Sequence, residues 1–167
     1  YVIEDNIISD NNASYCYPFY NYSYNGSNIT INRNRITNNA SAYYMYNYMA
    51  YYGDNVAVTN NLIAGNSSTY YGYNFCYYVV SGTYSHNTIV ATENTDYYNY
   101  GIYGYFNAST DLTFNNNIVV VGGNSSYGYS HYGLYFGGTL TNISWNNNVY
   151  YATSAVVYYN GSTTASS

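Results

Sequence analysis

The chain of 167 residues has the length of one ordinary domain and carries only 5% charged residues, far below the roughly 25% of an average soluble protein. Its formal charge of −5, with Arg33 and Arg35 as the only basic side chains, rules against nucleic acid and anionic membrane surfaces as partners, because neutralising phosphates takes many cations on one face. No apolar run approaches the roughly 20 residues of a membrane span, and 31 Tyr with a single Pro and abundant Val, Ile and Thr favour strands over helices or disorder.

The chain opens on Tyr1 and Val2 with neither a Met nor an apolar leader, as a mature or excised chain does. YVIEDNIIS (1–9) already sets apolar residues on alternate positions around Asn6, which predicts two short strands with a bend between them. A tyrosine-rich alternating segment follows, YCYPFYNY (15–22), and then the first pattern returns in NITINRNRITNNAS (28–41), with Ile29 and Ile31 before Asn34 and Ile36 after it. YYMYNYMAYY (43–52) leads into NVAVTNNLIAGNSS (55–68), with Val56, Val58, Asn61 and Ile63 in the same places. YYGYNFCYYVV (70–80) precedes GTYSHNTIVATENT (82–95), which holds Asn87 and Ile89. YNYGIYGYF (98–106) precedes DLTFNNNIVVVGGNSS (111–126), with Leu112, Phe114, Asn117 and Val119. YSHYGLYF (129–136) precedes TNISWNNNVYYATS (141–154), with Ile143, Trp145, Asn148 and Tyr150, and SAVVYY (154–159) reads as a last strand.

The aligned residues Asn6, Asn34, Asn61, Asn87, Asn117 and Asn148 lie 26 to 31 residues apart, a period that signals a solenoid. Each period holds about three strands, so the expected fold is all-β, with little or no helix: a β-solenoid of about six coils over 1–160, followed by a polar tail at 161–167. Strand–bend–strand units such as GIYGYFNASTDLTFNNNIVVVGG (101–123) resemble the parallel β-helix repeats of the pectate-lyase-like superfamily and of many archaeal and bacterial surface proteins. That resemblance implies a right-handed parallel β-helix with three sheets, and an internal ladder in which each Asn amide bonds the one about 4.8 Å above it. A short, charge-poor, Tyr- and Asn-rich solenoid also resembles the sheath subunits of filamentous methanogenic archaea, which are thought to join into rings or tubes.

The reactive residues do not assemble into a familiar centre. Glu4, Asp5, Asp10, Asp54, Glu93, Asp96 and Asp111 fall in different columns of the alignment, whereas a lyase or glycosidase needs carboxylates clustered on adjacent coils. Arg33 sits one coil above Asp5 in the same column, which predicts a surface ion pair. His86 occupies that bend column and His131 a tyrosine-rich strand, with no third ligand for zinc, so no metal and no cofactor is expected. Cys16 and Cys76 lie about two coils apart in different columns, too far for an internal bridge; they are buried thiols or, alternatively, bonds between subunits. The sequons at Asn12, Asn39, Asn66 and Asn124 follow the ladder Asn by five to seven residues, so they mark either a glycosylated edge of the rod or bare polar turns.

Neither end of the pattern carries a helix or a charged plug. Val2 and Ile3 at one end, and Val156 and Val157 at the other, read as open strand edges whose simplest partner is another copy of the chain, the alternative being a piece of a longer β-helix with its flanking coils removed, or a capped monomer. The expected function is therefore an extracellular structural protein that assembles head to tail into a filament, tube or sheath at the cell surface, with itself and glycans as partners. Rows of tyrosine also suit carbohydrate binding or adhesion, and a fragment of a polysaccharide lyase or hydrolase is the third reading.

Overall fold

Alternation on either side of each aligned Asn becomes two short strands and a two-residue bend, as in Val2–Glu4, Asp5, Asn6 and Ile7–Ser9. The residue before the Asn turns the chain by adopting a left-handed conformation: φ is 60° at Asp5, 56° at Arg33, 58° at Asn60, 57° at His86, 55° at Asn116 and 54° at Asn147. Asn, Asp and His are enriched in this region, which accounts for most of the column; Arg33 holds it against ordinary preference. The same device recurs after the next strand, at Asp10, Asn38 and Gly65.

The structure, a computed structural model, describes residues 2–79, 81–93, 95–106, 111–138, 142–152, 155–159 and 164–166. These residues form an all-β parallel solenoid with no helix, and no helix long and apolar enough to cross a membrane is present among them. The strands after the bend, Ile7–Ser9, Arg35–Thr37, Leu62–Ala64, Thr88–Ala91, Ile118–Val121 and Val149–Ala152, make a 6-stranded parallel sheet. One strand comes from each period, so four coils have a neighbour on both sides and the outer two on one side only.

The other two faces are not separate sheets, as the resemblance implied. Tyr20–Asn32 and Ala40–Thr59 run around the corner between them without a break, with register shifts at Tyr22/Gly26 and Tyr51/Gly53, and this fuses both faces into one 13-stranded sheet. Irregularities of this kind bend a strand while keeping most of its pairing.

Register carries each inward position straight up the rod. Ile8, Ile36, Ile63, Ile89, Val119 and Tyr150 form one internal column. Facing it, Ile3, Ile31, Val58, Tyr84, Phe114 and Trp145 form another, which changes from aliphatic to aromatic along the chain. Tyr84, Phe114 and Trp145 stack at centroid separations of 5.1 and 4.4 Å. Room for the Tyr84 ring comes from its own strand: a Cβ on Gly82 would lie 3.1 Å from Tyr84 Cε2 and 2.7 Å from the Val56 carbonyl oxygen. The middle coils bury these columns fully, and each aliphatic member contributes about 1.5–3 kcal/mol through removal from water.

Candidate assembly interface

Asn6, Asn34, Asn61, Asn87, Asn117 and Asn148 form one continuous ladder. In each step both the backbone N–H and Nδ2 of one Asn donate to Oδ1 of the next, as Asn61 does to Asn87 at 3.0 Å for each bond. The second Nδ2 proton reaches back to a main-chain carbonyl of the preceding coil: Asn34 to Ile3, Asn61 to Ile31, Asn87 to Val58, Asn117 to Tyr84 and Asn148 to Phe114, at 2.8 to 3.1 Å. An amide buried in the middle coils is thereby satisfied at every proton, the condition under which a buried polar group is tolerated.

The ladder has a direction. At its start, Asn6 donates to Asn34 but its own Oδ1 accepts nothing among the described residues. At its end, Asn148 Oδ1 accepts from Asn117 while its backbone N–H donates to nothing there. One end coil therefore presents an acceptor and the other a donor, in the same column. The terminal members of the core columns are correspondingly under-covered: Ile3, Ile8, Ile143 and Tyr150 are only partly buried, and Trp145 is 36% exposed. Val2, in the first strand, is exposed.

The far end departs from expectation on one face. Thr164–Ser166 fold back antiparallel on Ala155–Tyr159, pairing Val156 with Ser166, so the strand that carries Val156 and Val157 is covered rather than open. The polar tail thus supplies a strand partner that its composition did not suggest. Among the described residues no strand covers Ile143–Asn146 or Val149–Ala152 in the same way.

Two of the four aligned sequons are corrected by a second ladder. Asn11, Asn39 and Asn66 repeat the geometry of the first, with Nδ2 to Oδ1 distances of 2.8 and 2.9 Å and back-bonds from Asn39 to the Ile8 carbonyl and from Asn66 to the Ile36 carbonyl. Asn39 and Asn66 are buried, with both amide protons of Asn39 engaged and Asn66 donating to the Ile36 carbonyl, so neither side chain is presented outward to carry a glycan. Asn12 and Asn124 are exposed. A third polar column went unread in the sequence. Asn47 donates to Asn74, Asn74 donates to Asn99, and the backbone N–H of Asn99 donates to Nδ1 of His131 at 3.0 Å. His131 is therefore a buried ladder member rather than an ordinary polar side chain, and burial pushes its pKa down, partly opposed by the Asn124 backbone.

Cys16 is a free, buried thiol whose pKa burial raises, which tells against a bond through it to another subunit. Its register partner is Met45, whereas Cys76 pairs with Met49, so the two cysteines occupy different columns as the sequence implied. The Cys76 side chain lies outside the described residues. The predicted ion pair is present and larger than expected: Arg33 Nε and Nη2 reach Asp5 at 2.7 and 2.6 Å, and Nη2 reaches Glu4 at 3.0 Å. Arg33 holds the Asp5 carboxyl below its usual range. Among the described residues no group of three or more His, Cys, Asp or Glu could hold a metal ion.

Tyrosines stack outside the coil in long rows. Tyr17, Tyr46, Tyr73, Tyr100 and Tyr132 follow one another at centroid separations of 5.2, 4.6, 4.9 and 5.5 Å, with interplanar angles of 12° or less. A neighbouring row runs through Tyr15, Tyr43, Tyr70 and Tyr97 at 5.3 to 5.5 Å. Ring faces are spent on one another, leaving mainly edges and hydroxyls outward. Tyr103 and Tyr135 cross this pattern edge-on to Tyr100, and Tyr98, Tyr100, Tyr132 and Tyr135 line a cleft of about 260 Å³. At the adjoining corner, Ser68 Oγ and Thr95 Oγ1 are buried without a protein partner and face a polar slot of about 240 Å³, roomy enough for water to complete their bonds.

Fold and ladders together define the class, a tyrosine-rich parallel β-solenoid. Comparison with protein-family models, curated proteins and solved structures finds no match to the chain.

Proposed function

We propose that the protein is a structural subunit whose coils continue from one copy to the next, building an extracellular filament, tube or sheath. The observation that carries this reading is the polarity of the first asparagine ladder. Placed head to tail, Asn148 of one copy meets Asn6 of the next with the donor and acceptor each needs, and the step repeats the bond made five times within the chain. Trp145 then covers Ile3, and Tyr150 covers Ile8, burying the under-covered ends of both core columns. Such a contact is heterologous and grows without closing unless its rotation brings it round to a ring. Among the described residues a docking copy meets the uncovered edges of Ile143–Asn146 and Val149–Ala152 and one edge covered by Thr164–Ser166. The extracellular part of this reading is supported by the resemblance of the repeat to surface β-helix proteins.

Stacking of sugars on the tyrosine rows is the weaker alternative, because the ring faces that a sugar would use are already paired. Electron microscopy and light scattering over a range of concentrations test the proposal. Head-to-tail growth is expected in the unaltered chain and is abolished by Ile3→Lys together with Trp145→Lys, which place charges on both end faces. Monodisperse single rods at every concentration, in the unaltered chain, would overturn it.

A further inference from the structure

The row Tyr17, Tyr46, Tyr73, Tyr100 and Tyr132 places five phenols in line, and its closest pair is Tyr46 and Tyr73, 4.6 Å apart and 2° from parallel. We propose that this row is a site of oxidative phenol coupling, in which Tyr46 and Tyr73 become joined by a carbon–carbon bond between ring positions ortho to their hydroxyls.

Parallel pairing sets Tyr46 directly opposite Tyr73, so the sheet itself fixes the spacing of the two side chains. Ring centres in a joined biaryl are only a little closer than 4.6 Å, so the coupled product fits the existing backbone. What must change is ring orientation, from face-to-face toward edge-to-edge. That is a rotation about the Cβ–Cγ bond, a broad two-fold torsion. Tyr46 and Tyr73 are half-buried, and Tyr17 at the end of the row is 46% exposed, so a small oxidant or a radical-generating enzyme has access to the row. With neighbouring rings at 5.5 Å or less throughout, a radical formed on any member can migrate, and the tightest pair becomes the trap.

The oxidant is hydrogen peroxide acting through a haem peroxidase. Each phenol loses one electron and its hydroxyl proton, and the two resulting radicals combine at the ortho carbons. The hydrogen on each coupled carbon then moves to the phenolic oxygen as the ring regains aromaticity. Two hydrogens leave the protein in all, and one hydrogen peroxide is reduced to two waters. The product staples adjacent coils together on the outer face without involving the rod ends.

The experiment treats the dilute full chain with horseradish peroxidase and hydrogen peroxide, follows dityrosine fluorescence, and maps linked peptides by mass spectrometry. Tyr46–Tyr73 is expected to be the most abundant link, within single chains and at a yield independent of protein concentration, which separates the result from any head-to-tail assembly. Tyr46→Phe keeps a ring in the stack and is expected to abolish that link while retaining the one between Tyr73 and Tyr100; Tyr73→Phe abolishes both. Mapping of the unaltered chain decides the matter alone if a variant misfolds. An absence of dityrosine, links mainly between separate molecules, or links mainly between rings that are not row neighbours would overturn the proposal.

Discussion

Asn87→Ala tests whether the ladder holds the coils together. In the native chain Asn87 Oδ1 accepts from the Asn61 backbone N–H and from Asn61 Nδ2, both at 3.0 Å, while Nδ2 donates to the Val58 carbonyl at 2.9 Å and to Asn117 Oδ1 at 3.0 Å. Truncation removes all four bonds. Asn117 Oδ1 keeps the backbone N–H of residue 87, but the two Asn61 donors and the Val58 acceptor lose a partner inside the coil. Each orphaned group costs about 1–3 kcal/mol, and some relaxation around the vacated space puts the expected loss at about 3–5 kcal/mol. Against a typical total of about 5–15 kcal/mol this is a large fraction. Asn6→Ala is the control, since Asn6 is exposed and donates while its Oδ1 accepts nothing among the described residues; it should cost less than about 1 kcal/mol. Urea denaturation followed by circular dichroism measures both. Equal losses in the two variants would refute the reasoning.

Four further outcomes are expected. As pH falls below about 6.5 the unfolded chain binds a proton that buried His131 resists, so stability should decline by at most about 1.4 kcal/mol per pH unit until the native ring titrates; in His131→Asn, urea midpoints between pH 7 and 5.5 should lose that slope. The Asp5 carboxyl is depressed by Arg33, so its small contribution is present above the ordinary carboxylate pKa and disappears as pH falls through the lowered value; NMR titration should find Asp5 shifted upward in Arg33→Gln. Gly101→Ala would set a Cβ 2.6 Å from Val119 Cγ1 and 2.7 Å from the Gly133 carbonyl oxygen, which should cost about 1–3 kcal/mol in thermal or urea unfolding. Deleting 160–167 uncovers the edge of Ala155–Tyr159, and light scattering should then record faster end-to-end growth than for the unaltered chain.

Much of the architecture was legible because a solenoid repeats its instructions. Each aligned Asn sits between inward apolar positions, and the register of the sheets matches those columns residue for residue. The second ladder carries the same signal in the sequence: Asp10–Asn11, Asn38–Asn39 and Gly65–Asn66 repeat the left-handed residue plus Asn that makes the first bend, and two of these Asn also begin sequons. The third polar column had no single-column signature. Asn and Gly exchange places there, Gly72 with Asn74 in one coil and Asn99 with Gly101 in the next, so Asn74 bonds diagonally to Asn99. The fold-back of Thr164–Ser166 was illegible for a different reason, since a run of small residues such as Thr-Ala-Ser carries no alternating apolar pattern.

That exchange of Asn and Gly bears on how far the repeats resemble interchangeable bricks. A Cβ on Gly72 would lie 2.6 Å from Asn99 Oδ1, so the third coil is notched to receive the fourth. Duplicating a coil, deleting one from the middle, or permuting their order would set side chain against side chain where one of them needs a vacancy. The chain has a periodic outline but an aperiodic key, and lengthening such a rod by copying an internal segment would require recutting the notch at each new joint.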